Sequence, residues 1–234
     1  MTAQPDRPVR SLDEDDLDRK PFIDRLVRAL IDEKTGRATG IVVGIVGEWG
    51  SGKTSILNML DETIHDTYTD GVLVVRYDPW LVSGRDDLIF HFFRQLLKTI
   101  AQDGKLKKRL DKFVKVFSKY GKALVPLAES GLPRSKVLFD LLEQKGSDKK
   151  SLHSQRQKIY KLLSKIDIPI VVLIDELDRV ENEEVRFVAQ LVRAVADFPS
   201  ISYVLSYDHQ RVVEALGGGK GGQAYLEKIV QFPI

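Results

Sequence analysis

Residues 47–54 read Gly47-Glu48-Trp49-Gly50-Ser51-Gly52-Lys53-Thr54, the pattern G-x-x-x-x-G-K-T. An apolar run, residues 41–46, comes before this octet, and residues 55–64 follow it with apolar side chains at helical spacing. A strand, a glycine-rich loop and a helix in this order are the context of a phosphate-binding P-loop. The octet therefore predicts a nucleotide site and an α/β fold built around it.

The expected roles within the loop follow from phosphate chemistry. The glycines allow the backbone to turn its N–H groups toward phosphate oxygens, and the helix N-terminus adds positive potential at the same point. We expect Lys53 to reach the β and γ phosphates and the Thr54 hydroxyl to bind Mg²⁺. The residues predicted to contact the nucleotide are Gly47, Glu48, Trp49, Gly50, Ser51, Gly52, Lys53, Thr54 and Ser55.

Two later apolar runs end in carboxylates that could hold the metal. Residues 170–174 precede Asp175 and Glu176, and residues 72–77 precede Asp78. Asp175 is favoured as the metal ligand, because Glu176 beside it can activate a water for attack on the γ-phosphate. That choice predicts the strand arrangement of ATPases that hydrolyse with an adjacent glutamate. Asp78 in the same role would give the arrangement of nucleotide kinases and GTPases.

Polar residues beyond these carboxylates have two interpretations each. Arg179 either contacts a γ-phosphate in a neighbouring subunit or pairs with Asp178, and pairing is favoured because exposed Arg–Asp pairs are common. Ser206 and Asp208, at the tip of another predicted strand, either sense the γ-phosphate or, for Asp208, cap the next helix.

Composition limits the class of protein. The 234 residues are 43% hydrophobic and 30% charged, which suits one large α/β domain with its own core. The net charge of +2 creates no field that demands a nucleic-acid or membrane partner. The absence of cysteine excludes disulfides, thiolate zinc sites and cysteine nucleophiles. Neither a signal peptide nor an apolar run of ~18 residues occurs, so we expect a soluble cytoplasmic protein without a membrane span.

Apolar strand patterns alternate with helical ones along the chain, which predicts a mostly parallel sheet with helices on both faces. We expect residues 1–18 to form a mobile acidic arm and residues 19–234 to form the P-loop domain. Within that domain, residues 104–150 read as a helical basic insertion and the glycine-rich residues 217–222 as a mobile loop.

Several motifs together resemble the KAP family of P-loop NTPases, which is grouped with the signal-transduction ATPases of the STAND type. The resemblance runs from about residue 12 to residue 234. The resemblance implies that the nucleotide is ATP and that the domain takes part in phage or plasmid defence. It also implies that the domain is a switch that self-associates on activation and works with effector or sensor proteins. The motifs are residues 47–54, Trp80, Ile174-Asp175-Glu176-Leu177-Asp178-Arg179, Val204-Leu205-Ser206-Tyr207-Asp208 and residues 225–231.

The chain also departs from the family pattern. Asp78-Pro79-Trp80 stands where the family often has Asn-Ala-Trp, and Asp175-Glu176 stands where an Asp-Asp pair is common. Residues 104–150 are charged where many members insert transmembrane helices. Relatives continue past the equivalent of Ile234 into a helical lid and effector or sensor regions, so we expect either a fragment or a minimal member.

The leading functional hypothesis is Mg²⁺-dependent ATP binding and slow hydrolysis that drives a conformational switch. One alternative is a nucleic-acid-binding module gated by nucleotide, which would use the basic helix predicted over residues 105–122. Another is a scaffold that binds nucleotide without turnover. A small-molecule kinase is disfavoured by the predicted strand arrangement.

Overall fold

The computed structural model describes residues 7–69, 71–102, 116, 147–165 and 168–234. Five parallel strands form its central sheet in the order β4-β5-β6-β3-β7, and a small antiparallel hairpin, β1-β2, lies apart from that sheet. The strands are β1 Ile31–Asp32, β2 Arg37–Ala38, β3 Val42–Val46, β4 Leu73–Tyr77, β5 Ile170–Ile174, β6 Ile201–Tyr207 and β7 Phe232–Pro233.

Helices connect the strands of the sheet and confirm the predicted α/β alternation. The helices are α1 Lys20–Leu30, α2 Lys53–Thr67, α3 Arg85–Gln102, α4 Ser147–Leu163, α5 Asn182–Val195, α6 His209–Ala215 and α7 Gly219–Leu226, with 3-10 turns at Leu12–Glu14, Pro79–Leu81 and Leu177–Arg179. Apolar residues at helical spacing give α1, α2, α3 and α5 faces that are buried against the sheet.

The two faces of the sheet carry different helices. Val43 and Ile45 of β3 pack with α1 and α2 on one face, whereas Val42 belongs to the cluster that contains the apolar residues of α3 and α5. This division follows from the alternation of side chains along a strand. All residues of β5 and β6 are buried, as expected for inner strands of a parallel sheet covered on both sides.

Strand β6 separates the strand that precedes the P-loop from the strand that ends at Asp175. Val43 pairs with Val204 and Leu205 pairs with Ile174, so β3, β6 and β5 lie side by side. Strand β4, which ends before Asp78, lies beyond β5 at the edge of the sheet. Asp175 rather than Asp78 is therefore the strand-end acid nearer to the P-loop strand in the sheet.

The predicted glycine-rich loop at residues 217–222 differs in the structure, because helix α7 begins at Gly219. Close packing of α7 on α6 explains why glycine occurs there. A Cβ atom on Gly222 would lie 2.2 Å from the carbonyl oxygen of Val213, so only a residue without a side chain allows this approach. Gly222 thus allows the contact between two short helices.

The described part of the predicted arm lies against α2. The Val9 N–H donates to Ser55 Oγ at 3.0 Å, and the Leu12 N–H donates to the Glu62 carboxylate at 2.7 Å. Apart from residue 116, the basic helix predicted over residues 105–122 lies outside the described residues, as does most of the predicted insertion. Within the described ranges, no helix combines the length and the apolar content that crossing a bilayer requires.

Candidate nucleotide site

The predicted P-loop joins the end of β3 to the start of α2. Gly52 is the residue before α2 and has φ 88°, a left-handed conformation that favours glycine. The Gly47 N–H donates to the carbonyl of Tyr207 at 3.2 Å, which ties the loop to the tip of β6. Thr54 is half-buried in the first turn of α2, Ser55 is buried, and Glu48, Trp49, Gly50 and Ser51 are exposed.

Lys53 lies folded back into the loop. Its Nζ donates to the carbonyl oxygens of Gly47 at 2.9 Å and Glu48 at 3.0 Å. The same Nζ lies 3.5 Å from Asp178 Oδ2, and both side chains are only 10% exposed. Lys53, the cation expected at the β and γ phosphates, is thus paired with Asp178. This pairing is not predicted from the sequence.

Asp175 and Ser206 form a buried pair at the tips of adjacent strands. Both side chains are buried, and the Ser206 hydroxyl donates to Asp175 Oδ1. The same oxygen accepts the Glu176 N–H at 2.9 Å. Hydrogen bonds from a hydroxyl and a backbone N–H to the same oxygen fix the orientation of the carboxylate.

Glu176 adopts an uncommon backbone conformation. Its φ of 57° and ψ of 34° place a non-glycine residue in the left-handed region, at a cost on the order of 1–3 kcal/mol. Its Oε1 forms an ion pair with Arg179 Nη2 at 2.8 Å, and the Arg179 guanidinium lies 6.0 Å from the ring centroid of Trp80. Burial raises the pKa of the Glu176 carboxyl, an effect that Arg179 reduces but does not cancel.

Asp78 belongs to the same polar cluster. Burial raises the pKa of its carboxyl, and the charge of Asp175 raises it further. Its strand, β4, pairs with β5, so Asp78 and Asp175 follow neighbouring strands. Asp78, Asp175 and Ser206 thus lie at the carboxyl ends of three adjacent strands, on the side of the sheet where the P-loop begins.

The structure corrects one predicted ion pair and confirms one predicted helix cap. The prediction that Arg179 pairs with Asp178 is wrong, because Arg179 pairs with Glu176 while Asp178 pairs with Lys53. A 3-10 turn over Leu177–Arg179 brings residues three apart to the same side, which explains the exchange of partners. Asp208 caps α6, since its Oδ1 accepts the Arg211 N–H at 3.0 Å.

The residues at this edge fit a magnesium ion. Mg²⁺ is bound by hard oxygen donors, often through one or two carboxylates and several waters. Among the described residues, Asp175 Oδ2 has no hydrogen-bond partner, whereas Oδ1 is used by Ser206 and Glu176. Oδ2 of the oriented Asp175 carboxylate and the hydroxyl of Thr54 are the protein ligands that such an ion would use.

The strand order, the glycine loop that leads into α2 and the buried strand-end carboxylate define a P-loop NTPase of the α/β class. Such a domain binds a nucleotide through its loop. The chain belongs to the KAP family: a family model described as the KAP family P-loop domain matches residues 19–234. The resemblance found in the motifs is confirmed.

Two known proteins are similar to this chain. The Phage T7 exclusion protein of Escherichia coli (strain K12) is 30% identical over 220 residues, which cover 81% of this chain and 29% of that protein. The structure of the Aeropyrum pernix ORC2 protein in ADPNP-ADP complexes aligns with a TM-score of 0.49 at 12% identity, over 99% of this chain and 50% of that one.

Proposed function

We propose that this domain binds Mg-ATP and hydrolyses it slowly, and that the bound and hydrolysed states differ in the turn after β5. The observation that carries the proposal is the convergence of Lys53, Asp175 and Glu176 at one edge of the sheet. A phosphate-binding cation, a carboxylate suited to Mg²⁺ and a carboxylate suited to accept a proton are the three groups that phosphoryl transfer to water requires.

The proposed reaction follows from these positions. A bound Mg²⁺ would neutralise charge on the phosphate oxygens. Lys53 would exchange its bonds to loop carbonyls and Asp178 for bonds to phosphate oxygens. Glu176 would accept a proton from the attacking water as that oxygen bonds to the γ-phosphorus. The bond from the γ-phosphorus to the β–γ bridging oxygen would break, and ADP and phosphate would leave.

Two ion pairs make the turn after β5 a candidate for the element that switches. Asp178 holds Lys53 and Arg179 holds Glu176, so residues of one 3-10 turn hold both the phosphate-binding cation and the proposed base. A γ-phosphate would compete for Lys53, and the proposed base must turn from Arg179 toward the water. Ligands that interact differently with two arrangements of a turn shift the population between them.

We extend this proposal to a role in defence against phage, in which the switch acts through self-association or an effector or sensor protein. Its support is family membership and the similarity to a protein named for phage exclusion, of which this chain matches 29%. Because that share is small, the sensing and effector steps of such a system are not assigned to residues of this domain.

Nucleotide titration and single-turnover hydrolysis test the enzymatic part. The variants are Lys53→Ala and Glu176→Gln, with Glu33→Gln as a control that removes one exposed carboxylate from the β1–β2 hairpin region. We expect wild type and Glu33→Gln to bind and hydrolyse Mg-ATP. Glu176→Gln should bind it with turnover reduced at least ~100-fold, since general base catalysis contributes 10²–10⁴-fold. Lys53→Ala should bind poorly.

Each contrary result removes a specific part of the proposal. Binding without turnover by the wild type would make the domain a nucleotide-binding scaffold. Unchanged turnover in Glu176→Gln would reassign the base. No detectable binding by wild type at millimolar Mg-ATP would reject the proposed function as a whole.

A further inference from the structure

Arg19 contacts the P-loop from outside the nucleotide-binding motif. It is the residue immediately before α1, and its Nη1 lies 3.2 Å from the position that a Cβ atom would take on Gly52. Only 17% of its side chain is exposed. A guanidinium held this close to the loop is placed to donate to a ligand that the loop binds.

Asp15 holds this guanidinium in a fixed orientation. Arg19 Nε lies 2.7 Å from Asp15 Oδ1, and the Arg19 N–H donates to Asp15 Oδ2. The Asp15 side chain is 3% exposed, and although burial raises the pKa of its carboxyl, the hydrogen bonds from Arg19 outweigh burial and lower it. Asp15 is therefore an ionised anchor that leaves the far end of the guanidinium for another ligand.

The terminal nitrogens of Arg19 have no such partner. Among residues 7–69, 71–102, 116, 147–165 and 168–234, neither Nη1 nor Nη2 forms a hydrogen bond or an ion pair, and the bonds of this side chain all go through Nε to Asp15. Paired guanidinium donors match two phosphate oxygens better than an ammonium does. The loop that Arg19 touches is the one built to hold phosphates.

The position of Arg19 indicates which phosphate it meets. Helices α1 and α2 cover one face of the sheet, whereas the turn that carries Asp178 leads to α5 on the opposite face. Arg19 directly precedes the helix on the first face, whereas the turn that holds Lys53, at which the β and γ phosphates are expected, leads to the helix on the second face. The chain before Arg19 also contacts Ser55, the residue after the motif, through the Val9 N–H.

We propose that Arg19 is a further nucleotide-binding residue, that its guanidinium donates to the phosphate nearest the sugar, and that Asp15 is its positioning residue. This inference rests on the proposed nucleotide binding and extends it to the segment before α1. It assigns a function to a described part of the predicted acidic arm, which then forms one wall of the nucleotide site.

Calorimetric titration with Mg-ATP, Mg-ADP and inorganic tripolyphosphate tests the assignment. The variants are Arg19→Ala, Arg19→Lys and Asp15→Asn. Arg28→Ala is the matched control, because it removes one arginine at an exposed site of α1, the helix that follows Arg19. Melting temperatures without ligand show whether each variant is folded. Arg19→Lys retains the charge if the alanine variant is unstable.

We expect Arg19→Ala to weaken ATP and ADP by the same factor, about 10- to 100-fold, the range for hydrogen bonds to charged groups. Tripolyphosphate should also bind less tightly. Arg19→Lys should recover part of the loss, and Asp15→Asn should show a smaller loss than Arg19→Ala. Arg28→Ala should bind all three probes as wild type does.

Several results would overturn the inference. Equal binding by wild type, Arg19→Ala and Arg19→Lys would remove Arg19 from the site. A loss confined to ATP would place the guanidinium at the γ-phosphate, and a loss for both nucleotides without one for tripolyphosphate would place it on the nucleoside. If wild type binds none of the probes, the proposed function itself fails, which separates that outcome from a failure of Arg19 alone.

Discussion

Substitution of Asp178 by asparagine should increase the affinity for ATP. In the structure Lys53 Nζ and Asp178 Oδ2 are 3.5 Å apart and both side chains are 10% exposed. Nucleotide binding requires Lys53 to leave this carboxylate and brings the γ-phosphate, a second anion, close to it. Asparagine keeps the shape of the side chain and removes the negative charge. The free energy needed to separate Lys53 from residue 178 and the repulsion between residue 178 and the γ-phosphate should therefore both fall.

The size of the effect can be estimated from the distance. Coulomb attraction between unit charges at 3.5 Å is about 5 kcal/mol at an effective dielectric constant of about 20. Most of this attraction is offset by the desolvation of both groups, and Lys53 retains its two bonds to loop carbonyls in the variant. We therefore expect the binding free energy of ATP to improve by about 1–2 kcal/mol in Asp178→Asn, which corresponds to roughly 5- to 30-fold tighter binding.

The assay is titration of wild type, Asp178→Asn and Glu33→Gln with Mg-ATP and Mg-ADP at one ionic strength. Glu33→Gln removes the same charge from an exposed carboxylate that pairs with Arg28, so it corrects for net charge. We expect a larger gain for ATP than for ADP, because only ATP carries the γ-phosphate. Unchanged or weaker ATP binding by Asp178→Asn would refute the competition between carboxylate and phosphate.

Three further predictions concern other parts of the fold. Ser206→Ala should raise the Mg²⁺ concentration needed for half-maximal hydrolysis by ~10- to 100-fold, because the Asp175 carboxylate loses its buried donor; unchanged Mg²⁺ dependence would contradict this. Gly222→Ala should lower the free energy of unfolding in urea by about 1–3 kcal/mol, since its Cβ would lie 2.2 Å from the Val213 carbonyl, and a gain of about 1 kcal/mol, as for an open helix site, would show that the packing is wrong. Burial lowers the pKa of His91, so stability is fully present above the ordinary pKa of about 6.5 and falls as the pH drops below it; His91→Gln should flatten the melting temperature between pH 7.5 and 5, and a parallel decline in both proteins would refute this.

Short-range patterns were sufficient to predict most of the framework. The apolar run before Gly47 and the helical spacing after Thr54 depend on neighbours in sequence, and β3 and α2 form there. The same holds for β5 before Asp175 and for the cap that Asp208 provides to α6. In each case the information lies within a few residues, where backbone geometry and side-chain periodicity act directly.

The errors and omissions have a common cause. Sequence proximity suggested that Arg179 would pair with Asp178, yet each found a partner through the turn geometry. The glycines from residue 217 indicated a loop, whereas helix α7 begins at Gly219. The prediction failed because the contact between Gly222 and Val213 depends on how two helices meet. Contacts of this kind depend on the arrangement of helices and strands in space, which a single sequence does not show directly.

The sequence by itself determined the class of this protein, the P-loop and the strand-end carboxylates, because each of these depends on contiguous residues. The tertiary structure decided the strand order that brings β5 near the P-loop strand, the ion pair between Lys53 and Asp178, and the approach of Arg19 to Gly52. Asp178 lies 125 positions after Lys53, and Arg19 lies 33 positions before Gly52. Only the packing of helices on both faces of the sheet brings such distant residues to one site.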